Sequence, residues 1–217
     1  FSVARMHGKI SAKLLLGIPA ALVGLALVIL WNGCAAPKSR SASTRVHVDT
    51  TQKPWTHLKF NDNPNNFQFV IVTDRTGGAR PGIFEDGVRK INLLQPEFVM
   101  SVGDLIQGGT TDRHLINMQW LEFRSFVDQL QMPFFFVPGN HDVSNEVMAE
   151  EWNTRYGRPY YHFVYRDVLF LCLNTEDPPP THMTTAQRDY VAKALAENPQ
   201  VRWTLVFMHK PLWDYEE

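Results

Sequence analysis

Four side chains that suit divalent metals stand at the ends of apolar runs: Asp74, Asp104, Asn140 and His209. Carboxylate, amide and imidazole groups together accept Mn, Fe or Zn. Two such ions about 3.5–4 Å apart can clamp a phosphoryl group and turn water into a nucleophile at neutral pH. Asn140 belongs to Val137-Pro138-Gly139-Asn140-His141-Asp142, where Pro138 and Gly139 force a turn and present three polar side chains in succession. His141 can touch a phosphate oxygen or move a proton, and Asp142 can orient it through a ring N–H. The plainer reading of the same residues is a polar turn in which Asn140 or Asp142 caps the next helix. Arg75, Arg80 and Arg113 flank these segments and suit phosphate oxygens, although solvated loop arginines look the same in a sequence.

The elements that must position these groups follow from periodicity. Phe67–Thr73, Phe98–Val102 and Pro133–Val137 read as buried strands that end at Asp74, Asp104 and Asn140. The intervals between them each hold one helix, 82–94 and 114–130, as parallel strands with crossovers require. The expected inner faces are Ile83, Val88, Ile91 and Leu94 on the first helix, and Leu115, Met118, Leu121, Phe126 and Leu130 on the second. A third helix covers 145–156 and is stopped by Gly157. The runs 160–165 and 168–174 form a hairpin turning at Arg166-Asp167. Thr184 and Gln187 have the form of a capping box for a helix reaching Glu197, and a last strand over 201–208 delivers His209. This alternation predicts an α/β fold with a mixed sheet, or two sheets face to face with helices outside. Ligand sites in such folds sit beyond the carboxyl ends of the strands.

Composition narrows the functional classes. A formal charge of −1 over 217 residues gives no electrostatic reason to bind nucleic acid. Two cysteines exclude a disulfide framework, and Cys172 inside an apolar run reads as a buried thiol. Lys9 and Lys13 precede Leu14–Trp31, eighteen residues without a charge. That pattern is an export signal or a short membrane anchor, with the basic side inside. Gly33-Cys34 after the run is similar to the lipobox of bacterial lipoproteins, although Trp31 stands where an aliphatic residue is expected. We therefore read residues 1–36 as signal or anchor, 37–66 as a polar linker, and 67–217 as the folded domain, exported to the cell envelope or periplasm. The opening at Phe1, with Met6 just before the apolar run, and the close soon after the last strand lead us to expect a fragment.

Asp74, Gly103-Asp104, Gly139-Asn140-His141-Asp142 and His209 together resemble the successive motifs of the calcineurin-like metallophosphoesterases, over about 67–210. The resemblance implies a four-layer sandwich of mixed sheets and helices, two divalent metals and a phosphoester substrate hydrolysed by metal-activated water. It implies that Asp104 bridges both ions, that Asp74 binds the first, and that Asn140 and His209 bind the second. It makes His141 a phosphate contact or acid. Thr76 stands where the family's first motif has histidine, and no Gly-His-any-His follows His209. We accordingly expect weak metal binding and slow turnover of this chain, and a binding protein of the same fold is the competing expectation.

Overall fold

The computed structural model describes residues 2–6, 45–47, 51, 53–62, 67–177 and 182–212. The run Leu14–Trp31, Cys34 and the triplet Pro178–Pro180 lie outside the described residues. The strands are β1 (Ser2–Met6), β2 (Arg45–His47), β3 (Phe67–Val72), β4 (Phe98–Ser101), β5 (Phe134–Phe135), β6 (Tyr161–Tyr165), β7 (Val168–Cys172) and β8 (Trp203–Phe207). The helices are α1 (Ile83–Leu94), α2 (Arg113–Val127), α3 (Glu146–Tyr156) and α4 (Thr185–Glu197). Among the described residues no helix is long and apolar enough to cross a membrane.

Two four-stranded sheets form, in the orders β1-β3-β4-β5 and β2-β6-β7-β8. β3, β4 and β5 are parallel, as the expected crossovers demand, and β1 adds antiparallel to β3. β6 runs antiparallel to β2 and β7, while β8 is parallel to β7. Strand alternation then sorts the side chains into layers. Phe67, Phe69, Phe98, Met100 and Phe135 meet Tyr161, Phe163, Phe170 and Phe207 between the sheets. Val70, Val72, Val99, Phe134 and Phe136 face the other way and pack under α1, α2 and α3. Val164, Leu169 and Leu171 pack with Ala194 of α4 on the far side. The result is helix, sheet, sheet, helix: a four-layer sandwich with an aromatic centre, Phe163 stacked between Phe135 and Phe170 at 4.2 and 4.7 Å.

The carboxyl ends of β3, β4, β5, β7 and β8 share one end of this sandwich, which we call the ligand edge. The other end is the base. It gathers the starts of the two sheets, with the Tyr165 ring 5.1 Å from Phe67 and 5.5 Å from Phe98.

Four expectations are corrected. On α2 the buried residues are Ile116, Trp120, Phe123 and Val127, while Leu115, Met118 and Leu121 are exposed. The helix carries two apolar stripes, and the one with Trp120 and Phe123 has more area to remove from water. On α1, Val88 and Ile91 are buried but Ile83 and Leu94 are exposed. Helix α3 is capped by Asn145, whose side chain accepts from Met148 N–H, so neither Asn140 nor Asp142 serves as its cap. Thr184 does cap α4, but Gln187 does not complete a capping box. Its amide instead holds Asn174 and Asp177 of the loop after β7. Packing also reaches upstream of Phe67: Trp55 and Phe60 join the inter-sheet core, and Trp55 bridges to Phe135.

Candidate metal centre

The turn after β3 puts Asp74 at φ 48°, and its N–H donates to the Gly103 carbonyl at 3.2 Å. The turn after β4 holds Gly103 at φ 89° and Asp104 at φ 56°. Gly103 and Gly139 lie back to back. A Cβ on Gly103 would stand 2.6 Å from the Gly139 backbone, and one on Gly139 would overlap Asp104 N and Oδ1. Only glycine lets the two loops approach this closely, and the approach is what brings Asn140 beside Asp104.

Asp104 is the buried centre of the group. Its Oδ1 accepts from His141 N–H at 3.0 Å and stands 3.4 Å from His209 Nε2. Asn140 Oδ1 is 3.1 Å from the same His209 nitrogen. One ligand atom each from Asp74, Asp104 and His209 lie within 4.8 Å of one another. The ring of His209 is fixed from behind, because Nδ1 lies 2.8 Å from the Val102 carbonyl. A carbonyl accepts only, so Nδ1 carries a proton, and Nε2 is the nitrogen the ring would offer to a cation on losing its own proton. His141 is oriented the same way, with Nδ1 2.7 Å from the Gln107 carbonyl and Nε2 3.9 Å from Asp104 Oδ2.

Electrostatics favour a positive charge at this point. Burial works against protonating His209, yet hydrogen bonding to Asp104 and the Val102 carbonyl, with the charges of Asp104 and Asp74, raises its pKa to about 9. Burial also pushes the Asp104 carboxyl up, but hydrogen bonds from His209 and His141 N–H outweigh it and hold it below the usual carboxylate range. Two carboxylates, an amide oxygen and an imidazole nitrogen converging on one spot fit divalent cations. Asp74, Asp104, Asn140 and His209 are the residues that would hold them.

These arrangements decide a match that the loops alone suggest. The profile of the calcineurin-like phosphoesterases matches residues 56–217. The chain belongs to this family. Among solved structures, a purple acid phosphatase from yellow lupin (Lupinus luteus) seeds is similar, with a TM-score of 0.46 and 17% identity. The match covers 65% of this chain and 32% of that one, so the chain spans about a third of its length. No curated protein matches the chain.

Within the family's motif loops, the other expected site residues fall differently. Asp142 does not touch the His141 ring. It is fully buried, its Oδ1 accepting from Leu105 N–H at 2.9 Å and Ile106 N–H at 3.1 Å, and its Oδ2 from Gly139 N–H at 2.9 Å. Burial raises its carboxyl to about 7 against the pull of those three donors. Its work is to tie the Asp104 loop to the Asn140 loop, while the Gln107 carbonyl orients His141. The Thr76 hydroxyl turns to the Asp104 carbonyl at 3.3 Å. Arg75 is clamped by Glu122 at 2.8 Å and the Leu105 carbonyl, under Phe84, Phe123 and Phe126. Arg113 pairs with Glu150 and Glu151. Arg80 and the clamped Arg75 both line a groove of about 630 Å³ with Asp74, Pro81, Ile83 and Phe84. The Val102 and Gln107 carbonyls escaped the sequence reading because backbone acceptors carry no residue signature. The pair Gly108-Gly109 was the available hint, since a Cβ on Gly108 would overlap the His141 carbonyl.

Proposed function

We propose that the chain hydrolyses phosphate mono- or diesters with two divalent ions, drawn from Mn, Fe or Zn, held at the ligand edge. The observation that carries this reading is the convergence of Asp74, Asp104 and His209 ligand atoms within 4.8 Å, with Asn140 Oδ1 3.1 Å from His209 Nε2. Such ions, when bound, neutralise charge on the phosphoryl oxygens and make water nucleophilic at neutral pH.

The chain's own groups supply the rest. Asp104 has ligand atoms of both Asp74 and His209 within 4.8 Å, so its two oxygens would suit a ligand shared by two ions. Gly103 and Gly139 fix the spacing of the loops. His141 Nε2 faces the site with its other nitrogen pinned, which suits a hydrogen bond to phosphate or a proton given to the leaving oxygen. Arg80 reaches the groove that adjoins Asp74 and suits an anionic substrate.

A second reading, a binding protein of the same fold with little turnover, is favoured by Thr76, which offers no imidazole where the family's first motif has one. The deciding experiment assays an aryl phosphate and a phosphodiester with manganese added. Hydrolysis that Asp104→Asn abolishes supports the enzyme. Absence of hydrolysis under every metal, with binding of phosphate retained, supports the second reading. We further propose export and anchoring at the cell envelope through Leu14–Trp31 or a lipid on Cys34, supported by Lys9 and Lys13 before the uncharged run.

A further inference from the structure

Two hydrogen bonds meet on one peptide unit beside the centre. The Gln107 carbonyl lies 2.7 Å from His141 Nδ1 and can only accept, so that nitrogen carries a proton. The Gly108 N–H, the other half of the same peptide bond, donates to Gln119 Oε1 at 2.8 Å. A trans peptide points its C=O and N–H in opposite directions. Gln119 and His141 therefore stand on opposite sides of this unit, and any turn of it changes both bonds.

The unit needs a hold. Gly108 sits at φ 61°, and a Cβ there would overlap the His141 carbonyl, so only glycine fits. Glycine takes φ of either sign about as readily, so the peptide can turn over at little backbone cost. Turned over, it would present N–H to His141 Nδ1. That nitrogen would then have to accept, and the proton of the neutral ring would pass to Nε2. The difference bears on chemistry. Nε2 can hand a proton to a leaving oxygen only while Nδ1 keeps its own, the ring passing from cation to the neutral Nδ1–H form.

Helix α2 supplies the hold. Ile116, Trp120 and Phe123 fix it in the core. Gln119 and Glu122, three residues apart, share the face that meets the motif loops. Glu122 clamps Arg75 beside Asp74 at 2.8 Å, and Gln119 takes Gly108 N–H. We propose that Gln119 is a positioning residue for His141. Its Oε1 holds the 107–108 peptide with the carbonyl toward the ring, and so decides which ring nitrogen keeps a proton and which is presented to substrate. The effect on turnover rests on the phosphoesterase reading above; the orientation of the ring does not.

The test uses the full chain with ring-15N histidine and compares Gln119→Glu, Gln119→Leu and Gln119→Lys by NMR. A glutamine amide can turn over, but a carboxylate only accepts and an ammonium only donates, so the variants separate the two senses of the bond. Among the eight histidines, the His141 signals are assigned by their loss in His141→Gln. The parent and Gln119→Glu should show the neutral ring with its proton on Nδ1. Gln119→Leu and Gln119→Lys should show that proton on Nε2 in most molecules. Their thermal midpoints should stay within a few degrees of the parent, because the position is only half-buried. A Leu or Lys variant that keeps the parent's signature overturns the proposal, since the Gln107 carbonyl would then hold the ring unaided. A Glu variant that loses the signature overturns it too, since an acceptor oxygen at 119 would not be what matters. Turnover is read separately. On an alkyl phosphate, whose leaving oxygen needs a proton, Gln119→Leu should lower kcat by about tenfold or more, a part of the roughly 10²–10⁴ that a positioned proton donor contributes, with KM little changed. A ring signature that moves while kcat does not sustains the positioning and overturns the proton role of His141. Absence of hydrolysis in the parent overturns the phosphoesterase reading alone, because the ring signature is read without substrate.

Discussion

At the scale of single residues, Asp104 and Asp142 separate two jobs that look alike in a sequence. Asp104 faces the other ligand groups, whereas Asp142 faces three backbone N–H groups and no other side chain of the centre. Asp104→Asn keeps an oxygen for His141 N–H but loses the charge that draws a cation. Loss of partners one shell out already costs metal sites about 10–100-fold in affinity, so this change costs at least as much. Manganese titration by calorimetry, beside a thermal melt that stays within a few degrees, checks it; unaltered affinity would remove Asp104 from the ligand set. Asp142→Asn behaves in the opposite way. An amide oxygen can still take Leu105 and Ile106 N–H, but its NH2 then points at Gly139 N–H. One buried donor is left without a partner, a loss of about 1–3 kcal/mol that urea unfolding reads directly. If the variant is as stable as the parent, Asp142 does not tie the loops.

At the scale of elements, the strand ends matter more than the strands. The order of three parallel strands, and the ligands that end them, was legible because each run stops at Gly, Pro or Asp and each interval fits one helix. The joining of those ends was not legible, because it depends on two glycines far apart in the chain meeting face to face. Gly103→Ala isolates that contact. The alanine would sit at φ 89° with its Cβ 2.6 Å from the Gly139 backbone, so the loops must part. Strain of this kind costs about 1–3 kcal/mol, and manganese affinity should fall with it because Asn140 moves off the Asp104–His209 group. Gly109→Ala is the comparison: the position is left-handed too, but its Cβ meets nothing. It should lose stability and keep metal affinity. Equal affinity in both variants would show that the glycine contact does not set the ligand spacing. Helix faces were read less well for a related reason. On α2 the stripe Leu115, Met118 and Leu121 and the stripe Trp120, Phe123 and Val127 both satisfy helical periodicity, and tertiary packing chose the one with the two large rings.

At the scale of the whole molecule, the aromatic centre between and above the sheets carries its own pH limit. Cys172 is fully buried between the sheets, and burial pushes its thiol up to about 12. Burial likewise raises the phenols of Tyr156, Tyr161 and Tyr165 above their ordinary value. In the unfolded chain these groups ionise near their ordinary values, about 8.5 for the thiol and about 10 for the phenols. In the folded chain they keep their protons to higher pH. Between the two values the unfolded state binds fewer protons, so its relative free energy falls as pH rises. The stabilising contribution is complete below about 8.5 and is lost progressively as pH climbs toward 12. Each group that ionises only on unfolding contributes about 1.4 kcal/mol per pH unit once the unfolded chain has lost its proton. Urea unfolding midpoints at pH 8, 9 and 10 should therefore fall at an accelerating rate, first with the thiol and then with the phenols. Cys172→Ser would keep a small buried polar group without the thiol's acidity, so its midpoint should change less than the parent's between pH 8 and 9. A flat stability profile from pH 8 to 10 would mean that these groups ionise as readily in the fold as outside it, which a closed inter-sheet core does not allow.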